Sequence, residues 1–251
     1  MKKLILLMII LSVVSVIFAA GKTLEIIAQE TAKEGETLFA QKKFVEAGEK
    51  FQEAIEKYNE FVTKNDIPED KTIIEKWLKN AKISYQNGKA WEKMIAVLDI
   101  YIERHPRIYK NYSTKALIYK KYMNPKNYEA AIDAYVSFDE SVKPYYKARV
   151  KVADIYYNNL EDYENALVWY KKANELKSTS KILNLTSKTY LKLKRNKEAI
   201  AVLKEYISTN PSSKEKFNSY YNLGTIYMND LGNVTEALAN YENAVSFKFD
   251  K

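Results

Sequence analysis

The chain has 251 residues, 47% of them hydrophobic and 29% charged, and a formal net charge of +8. That balance belongs to a folded chain rather than a disordered one. It holds no cysteine, which excludes disulfides, thiolate nucleophiles and thiolate metal sites.

Six glycines and five prolines are few beside the abundant Lys, Glu, Ala and Leu, so an all-α fold is expected. The 21 tyrosines favour strands by propensity, and their spacing must decide.

The N-terminus reads MKKLILLMIILSVVSVIFAAGKT. Lys2 and Lys3 form a positive start, Leu4 to Phe18 an apolar run, and Ala19, Ala20 and Gly21 a small-residue end, which together read as a secretory signal peptide over residues 1–21. The run is shorter than the roughly 20 residues that span a bilayer. Cleavage after Gly21 leaves small residues at both key places; a retained N-terminal anchor is the alternative, and the membrane then enters only through this segment. Losing Lys2 and Lys3 leaves a charge of +6, which points to an acidic partner or an anionic surface unless it is a set of solvated helix faces. An exported, periplasmic or envelope-associated chain is expected, and nucleic acid is not expected as a partner.

From Gly35 onward one frame recurs. GETLFAQKKFVEAGEKFQEAIEKY places Gly35, Leu38, Phe44, Ala47, Phe51 and Ala54. The break NEFVTKNDIPEDKT follows, with turn chemistry at Asn65-Asp66 and Pro68. It reads as a hinge or, preferably, as a second helix lengthened to about Val62 and then a short loop. SYQNGKAWEKMIAVLDIYIERHP supplies Tyr85, Gly88, Trp91, Met94, Leu98, Tyr101 and Pro106, and ALIYKKYMNPKNYEAAIDAYVSF supplies Tyr119, Tyr128, Ala131, Tyr135 and Phe138, with extra residues around Pro125. In VADIYYNNLEDYENALVWYKKANEL, Tyr163, Ala166, Tyr170 and Ala173 are spaced three, four and three, which is the helical period and not the alternation of a strand. TYLKLKRNKEAIAVLKEYISTNP and LGTIYMNDLGNVTEALANYENAV carry Ala199 and Ala237 in the same frame. The tyrosines are therefore mostly core.

The order Leu-Gly-x-x-Tyr, Ala-x-x-x-Phe/Tyr-x-x-Ala, Pro resembles the tetratricopeptide repeat, a helix–turn–helix unit of 34 residues. The anchors Ala47, Met94, Ala131, Ala166, Ala199 and Ala237 are 47, 37, 35, 33 and 38 residues apart. The resemblance implies a right-handed α-solenoid over residues 22–251, with about six repeats near 28–61, 73–107, 109–143, 146–179, 180–212 and 215–248.

Little chemistry is visible. The single histidine, His105, stands in VLDIYIERHP, and VLKEYISTNP puts Asn210 in its place 105 residues later. His105 therefore reads as a turn residue without a partner at useful spacing. Carboxylates are expected on helix exteriors, and pairs such as Glu161-Asp162 in turns. Gly35, Gly48 and Gly88 are isolated in helical patterns or turns and form no phosphate loop. No cofactor, metal site or enzyme is expected.

The resemblance implies that first helices line a concave groove. Its exposed positions include Lys76, Lys79, Lys110, Lys147, Lys151, Lys181, Asn184 and Lys188, a basic face for an acidic segment or a C-terminal carboxylate. Lys79, Lys147 and Lys151 fall where relatives that clamp a carboxylate carry basic residues, but Ile83 and Thr114 occupy the places of the asparagines. A merely solvated face stays open. The expected function is a non-enzymatic protein-interaction scaffold of the cell envelope that holds a partner peptide or helix. The alternatives are a subunit of an outer-membrane assembly or secretion complex and a self-associating, homo-oligomeric structural protein whose array ends near Phe247 and Phe249 without a polar cap.

Overall fold

The computed structural model describes residues 24–247. The signal-like segment 1–21 and Phe249 lie outside the described residues. Helix is the only regular structure among those described. In chain order the helices are α1 (24–40), α2 (Phe44–Asn65), α3 (Lys71–Asn87), α4 (Trp91–Arg104), α5 (Tyr109–Leu117), α6 (Tyr128–Ser141), α7 (Tyr146–Asn158), α8 (Tyr163–Leu176), α9 (Ser180–Lys192), α10 (Asn196–Ser208), α11 (Ser213–Thr225) and α12 (Val234–Ser246). A single π-helical turn, Ile118–Tyr122 after α5 and Ile226–Asp230 after α11, extends the first helix of the third and sixth pairs. These turns sit in the repeats whose anchors stand 37 and 38 residues after the preceding ones.

Side-chain caps begin many of the helices. Asp70 accepts from the N–H groups of Thr72 and Ile73 ahead of α3, Asp162 from Asn165 ahead of α8, and Asn233 from Glu236 ahead of α12. Ser212 and Glu215 close a capping box on α11. The turn inside each pair is as regular. A left-handed residue stands five places before the small anchor in five of the six repeats: Lys42 (φ 62°), Lys89 (55°), Glu161 (52°), Lys194 (55°) and Gly232 (64°). Only the last is a glycine, the residue that adopts this conformation without strain. Gly88, beside Lys89, is right-handed (φ −78°). Its lack of a side chain serves packing instead, since a Cβ there would come within 2.8 Å of Val45 Cγ2.

The chain divides into two compact units, Met1–Asn111 and Tyr112–Lys251. In the first, Gly48 on α2 lets α3 approach closely: a Cβ at Gly48 would lie 2.5 Å from the ring of Tyr85, which is fully buried. The Tyr85 hydroxyl donates to Gln52, and burial first, then Glu49 and Glu56, pushes its pKa up to about 12. In the second unit, each core is shared by successive pairs. Val150, Ala153, Ala166, Tyr170, Ala173 and Ile182 join α7, α8 and α9. Leu167, Tyr190, Ala199, Leu203, Leu223 and Ile226 join α8 through α10 to α11 and the π turn after it. Burying each large apolar side chain contributes roughly 1.5–3 kcal/mol, and a lone pair of helices could not bury both of its faces.

One reading is extended and two change. The second helix of the first repeat runs past Val62 to Asn65, which gives α2 22 residues against 13 or 14 in the other second helices. Tyr156, in the same stretch as Tyr170 and expected with it among the core tyrosines, is half-buried and packs at the core's edge, while Tyr170 is fully buried. Asp139, expected like other carboxylates on an exterior, is buried because Arg149 neutralises it: Nε donates to Oδ2 at 2.9 Å.

Candidate functional site

The first helices of the first unit enclose a cleft. Gln29, Ala32, Glu36 and Phe39 fall along one side of α1, and Ile73, Lys76, Asn80 and Ile83 along the facing side of α3. Two cavities meet at Glu36. One, of about 340 Å³, is walled by Phe39, Phe51 and Ile83, with Asn80 as its second polar residue. The other, of about 320 Å³, lies between Ala32, Ile73 and Trp77 and carries Gln29, Lys33 and Lys76 at its polar edge. Lys76 Nζ stands 3.3 Å from Glu36 Oε1, an ion pair across the cleft. Both partners are exposed, so the pair contributes little to stability. It does set a charged bridge beside an apolar recess.

Further along α3, Lys79 and Lys82 form a positive patch with Lys110 of α5. Lys82 is half-buried, with its ammonium 4.5 Å above the ring of Tyr101. Burial lowers its pKa, Lys79 and Lys110 lower it further by repulsion, and Glu75 opposes them. Burial and the nearby Glu75 carboxylate push the Tyr101 hydroxyl up to about 12.

The other predicted residues lie in the second unit. Lys147 is exposed on α7, its ammonium 6.0 Å from the Tyr146 ring, which Lys177 also approaches at 5.3 Å. Lys151, one turn on, pairs with Asp154 at 3.6 Å, so part of its charge is already answered. On α9, Lys181 and Lys188 are exposed on the face that also holds Asn184. The Asn184 amide donates to the Tyr206 hydroxyl at 3.4 Å and so ties its own helix pair together. The Glu215 carboxyl sits below its usual range through bonds from Ser212 and Tyr206, with Lys188 adding a smaller pull. Lys79 and Lys110 are thus brought together around Lys82. The second-unit lysines stand as two helical stripes.

Lys82, Glu36, Phe39 and Asn80 escaped the sequence reading, although a signal existed. Subtracting the 47-residue step between Ala47 and Met94 from Lys76, Lys79 and Ile83 gives Gln29, Ala32 and Glu36, the α1 side of the cleft.

His105 has the partner it was thought to lack. Its Nε2 lies 2.8 Å from Glu75 Oε1, contributed from 30 residues earlier, and its backbone N–H closes α4 on Tyr101 O. Arg104 beside it reaches Glu69 and Glu75. The turn is also a clamp. Among the described residues no group of three or more metal-ligating side chains converges, and no helix is long and apolar enough to cross a membrane.

Residues 146–180, 180–213 and 217–251 each match the family model of the tetratricopeptide repeat. No curated protein matches the chain. Among solved structures, the chain is similar to the C-terminal part of a TPR repeat-containing protein from Cytophaga hutchinsonii, with 14% identity, a TM-score of 0.54, and coverage of 86% of this chain and 95% of that one. It is also similar to MamA, with 15% identity, a TM-score of 0.50, and coverage of 66% and 92% respectively. These likenesses show the fold: an all-α array of tetratricopeptide-type helix pairs.

Proposed function

We propose that the chain is a non-enzymatic protein-binding module of the cell envelope, and that it holds a segment of a partner protein in the cleft between α1 and α3. The recess walled by Phe39, Phe51 and Ile83 carries this reading. At about 340 Å³ it falls at the small end of ligand pockets, which run roughly 300–1,000 Å³, and suits one bulky apolar side chain. Glu36, Lys76 and Asn80 offer the partner's backbone and polar groups hydrogen bonds at the rim. The Lys79–Lys82–Lys110 patch favours a segment that is acidic beside its apolar anchor, or one ending in a free carboxylate. The signal-like N-terminus supports export, and a place in an outer-membrane assembly or secretion complex is compatible with it.

The test is selection of peptides from a displayed library on the protein spanning residues 22–251. Enriched peptides should combine a bulky apolar residue with acidic neighbours. Ile83→Glu should weaken them at least tenfold while leaving the circular dichroism unchanged. A triple Lys147/Lys151/Lys188→Glu variant should bind them nearly as well. Equal binding by Ile83→Glu would move the site out of the cleft, and loss only in the triple variant would move it to the lysine stripes of the second unit.

Self-association is the second reading, favoured by α12. Val234, Leu238 and Val245 lie on one face of this helix and are 53%, 53% and 74% exposed. Leu238 follows the anchor Ala237 as Leu167 follows Ala166, and Leu167 is buried in the core shared with the next pair. Leu238→Glu should then dissociate an oligomer seen by sedimentation. A monomeric wild type at micromolar concentration would dismiss this reading.

A further inference from the structure

A cavity of about 450 Å³ lies in the second unit, away from the cleft between α1 and α3 and from the lysine stripes. Its floor is the ion pair of buried Asp139 with half-buried Arg149. The Asp139 carboxylate accepts from the Tyr145 backbone N–H at 2.5 Å and from Arg149 Nε at 2.9 Å, and Arg149 Nη1 donates to the Lys172 carbonyl at 2.8 Å. The end of α6, the start of α7 and the last turns of α8 are thereby fixed around one rigid base. Glu140 and Glu175 stand exposed at the rim. Trp169 forms a wall, half-buried against the core of α7, α8 and α9. The ammonium of Lys172 lies 4.4 Å over its indole ring.

We propose that this cavity is a second docking site and takes an arginine side chain of a partner protein, stacked on Trp169 and paired with Glu140 and Glu175. Charge selects the ligand's sign. Asp139 and Arg149 cancel each other, and Arg149 has spent two of its donors on groups of this chain. Two carboxylates and one ammonium then remain, which leaves the rim at −1. An anion would meet Lys172 and the remaining Arg149 N–H groups only against the two rim carboxylates. The wall selects the ligand's shape. An indole face already bearing a cation attracts cations through its quadrupole, and a planar guanidinium both stacks on it and forks to carboxylates, as an ammonium cannot. Lys172 is exposed and on a flexible stem, so an entering guanidinium displaces it. Lys172 is therefore a competitor in this site and not a ligand-binding group.

That role gives the test its sharp form. N-acetyl-arginine N-methylamide is titrated into the labelled protein, and the indole N–H resonance of Trp169 is followed, assigned as the one that disappears in Trp169→Phe. The expected result is a saturable shift with a dissociation constant on the order of millimolar, as suits a single side chain. The neutral citrulline analogue should leave the resonance in place. Glu140→Gln with Glu175→Gln should weaken binding about threefold to tenfold, and Lys172→Gln should tighten it by a similar factor. Absence of saturation, an equal shift by the citrulline analogue, or weaker binding in Lys172→Gln would each overturn the proposal. The last outcome would make Lys172 a supporting member of the site and not its competitor.

Discussion

Arg104 in the first unit and Arg149 in the second do the same task in different surroundings. Each pins the ends of neighbouring helices with its guanidinium. Arg104, at the end of α4, bonds both carboxylate oxygens of Glu69 at 2.5 and 3.1 Å and reaches Glu75 at 3.1 Å, with side chains 23%, 27% and 32% exposed. Arg149, at the start of α7, meets an Asp139 side chain that is only 5% exposed, and it is itself 17% exposed. The first clamp makes more bonds, yet water reaches all of its members. The second makes fewer, and its carboxylate is almost wholly withdrawn from water. Burial, rather than the number of bonds, should therefore set what each is worth once broken.

The largest effect is expected at the buried clamp. Arg149→Met leaves the Asp139 charge in a site with one N–H donor and no cation, which should cost about 3–5 kcal/mol, read as the shift of the urea midpoint. Asp139→Leu combined with Arg149→Met removes both charges and should recover most of that loss. Trp77 and Trp91 report the first unit and Trp169 the second, so fluorescence of the single-tryptophan variants should place the loss in the second. If Arg149→Met moves the midpoint no further than Arg104→Met, burial is not the deciding quantity.

Arg104→Met should cost less, about 1–2 kcal/mol near neutral pH, because the orphaned Glu69 and Glu75 can turn to water. Its effect also carries a pH signature. The Arg104 hydrogen bonds hold the Glu69 carboxyl below its usual range, against a smaller opposing pull from burial. A carboxyl depressed in the folded state contributes stability that is present above its unfolded value, about 4.3, and is lost as the pH falls through its folded value. The gap between wild type and Arg104→Met should therefore be full at pH 6–7 and close below about pH 4. Salt near 1 M should shrink it while leaving the Arg149→Met loss nearly unchanged, since screening reaches exposed charges first. Constant gaps across pH and salt would mean that Arg104 acts through the packing of its stem.

Where the units agree is the left-handed turn inside five of the six pairs, and the next expected effect tests that sameness. Lys89 in the first unit and Lys194 in the second are both left-handed with φ 55°. Replacing either by glycine should stabilise by about 0.5–1 kcal/mol, the strain relieved less the added entropy of the unfolded chain. Unequal gains would show that one turn is held by its surroundings.

These turns also mark how far the sequence could be read. The helices, their pairing and the frame of small anchors were legible because apolar spacing reports packing directly: Ala47, Ala131, Ala166, Ala199 and Ala237 are all fully buried. The left-handed turn position was hidden because lysine and glutamate fill four of its five places, so Gly88 drew the eye one residue early. Both clamps were hidden for a related reason. Arg104 and His105 meet carboxylates about 30 residues away and Arg149 one 10 residues away, across turns whose geometry no local pattern encodes. The lysine positions of the groove followed from the repeat frame, but the apolar cleft did not, because its α1 half lies across the irregular 47-residue step.

The smallest effect is expected at Lys151, and it bears on how the basic residues of the second unit should be weighed. Lys151 Nζ lies 3.6 Å from Asp154 Oδ2, three residues further along α7, with the lysine side chain 51% exposed. Geometry of that kind contributes little, because solvent screens the pair and the long side chain gives up rotamer freedom to hold it. Asp154 has a firmer bond besides, the Tyr170 hydroxyl at 2.8 Å, and that bond pushes the already buried tyrosine further above its ordinary range. Lys151→Met should therefore change the urea midpoint by less than about 0.5 kcal/mol. A peptide held in the first-unit cleft should not register the change at all. A larger loss of stability would show that Lys151 supports the Tyr170 bond through Asp154. A loss of peptide binding without loss of stability would assign the residue to the partner after all.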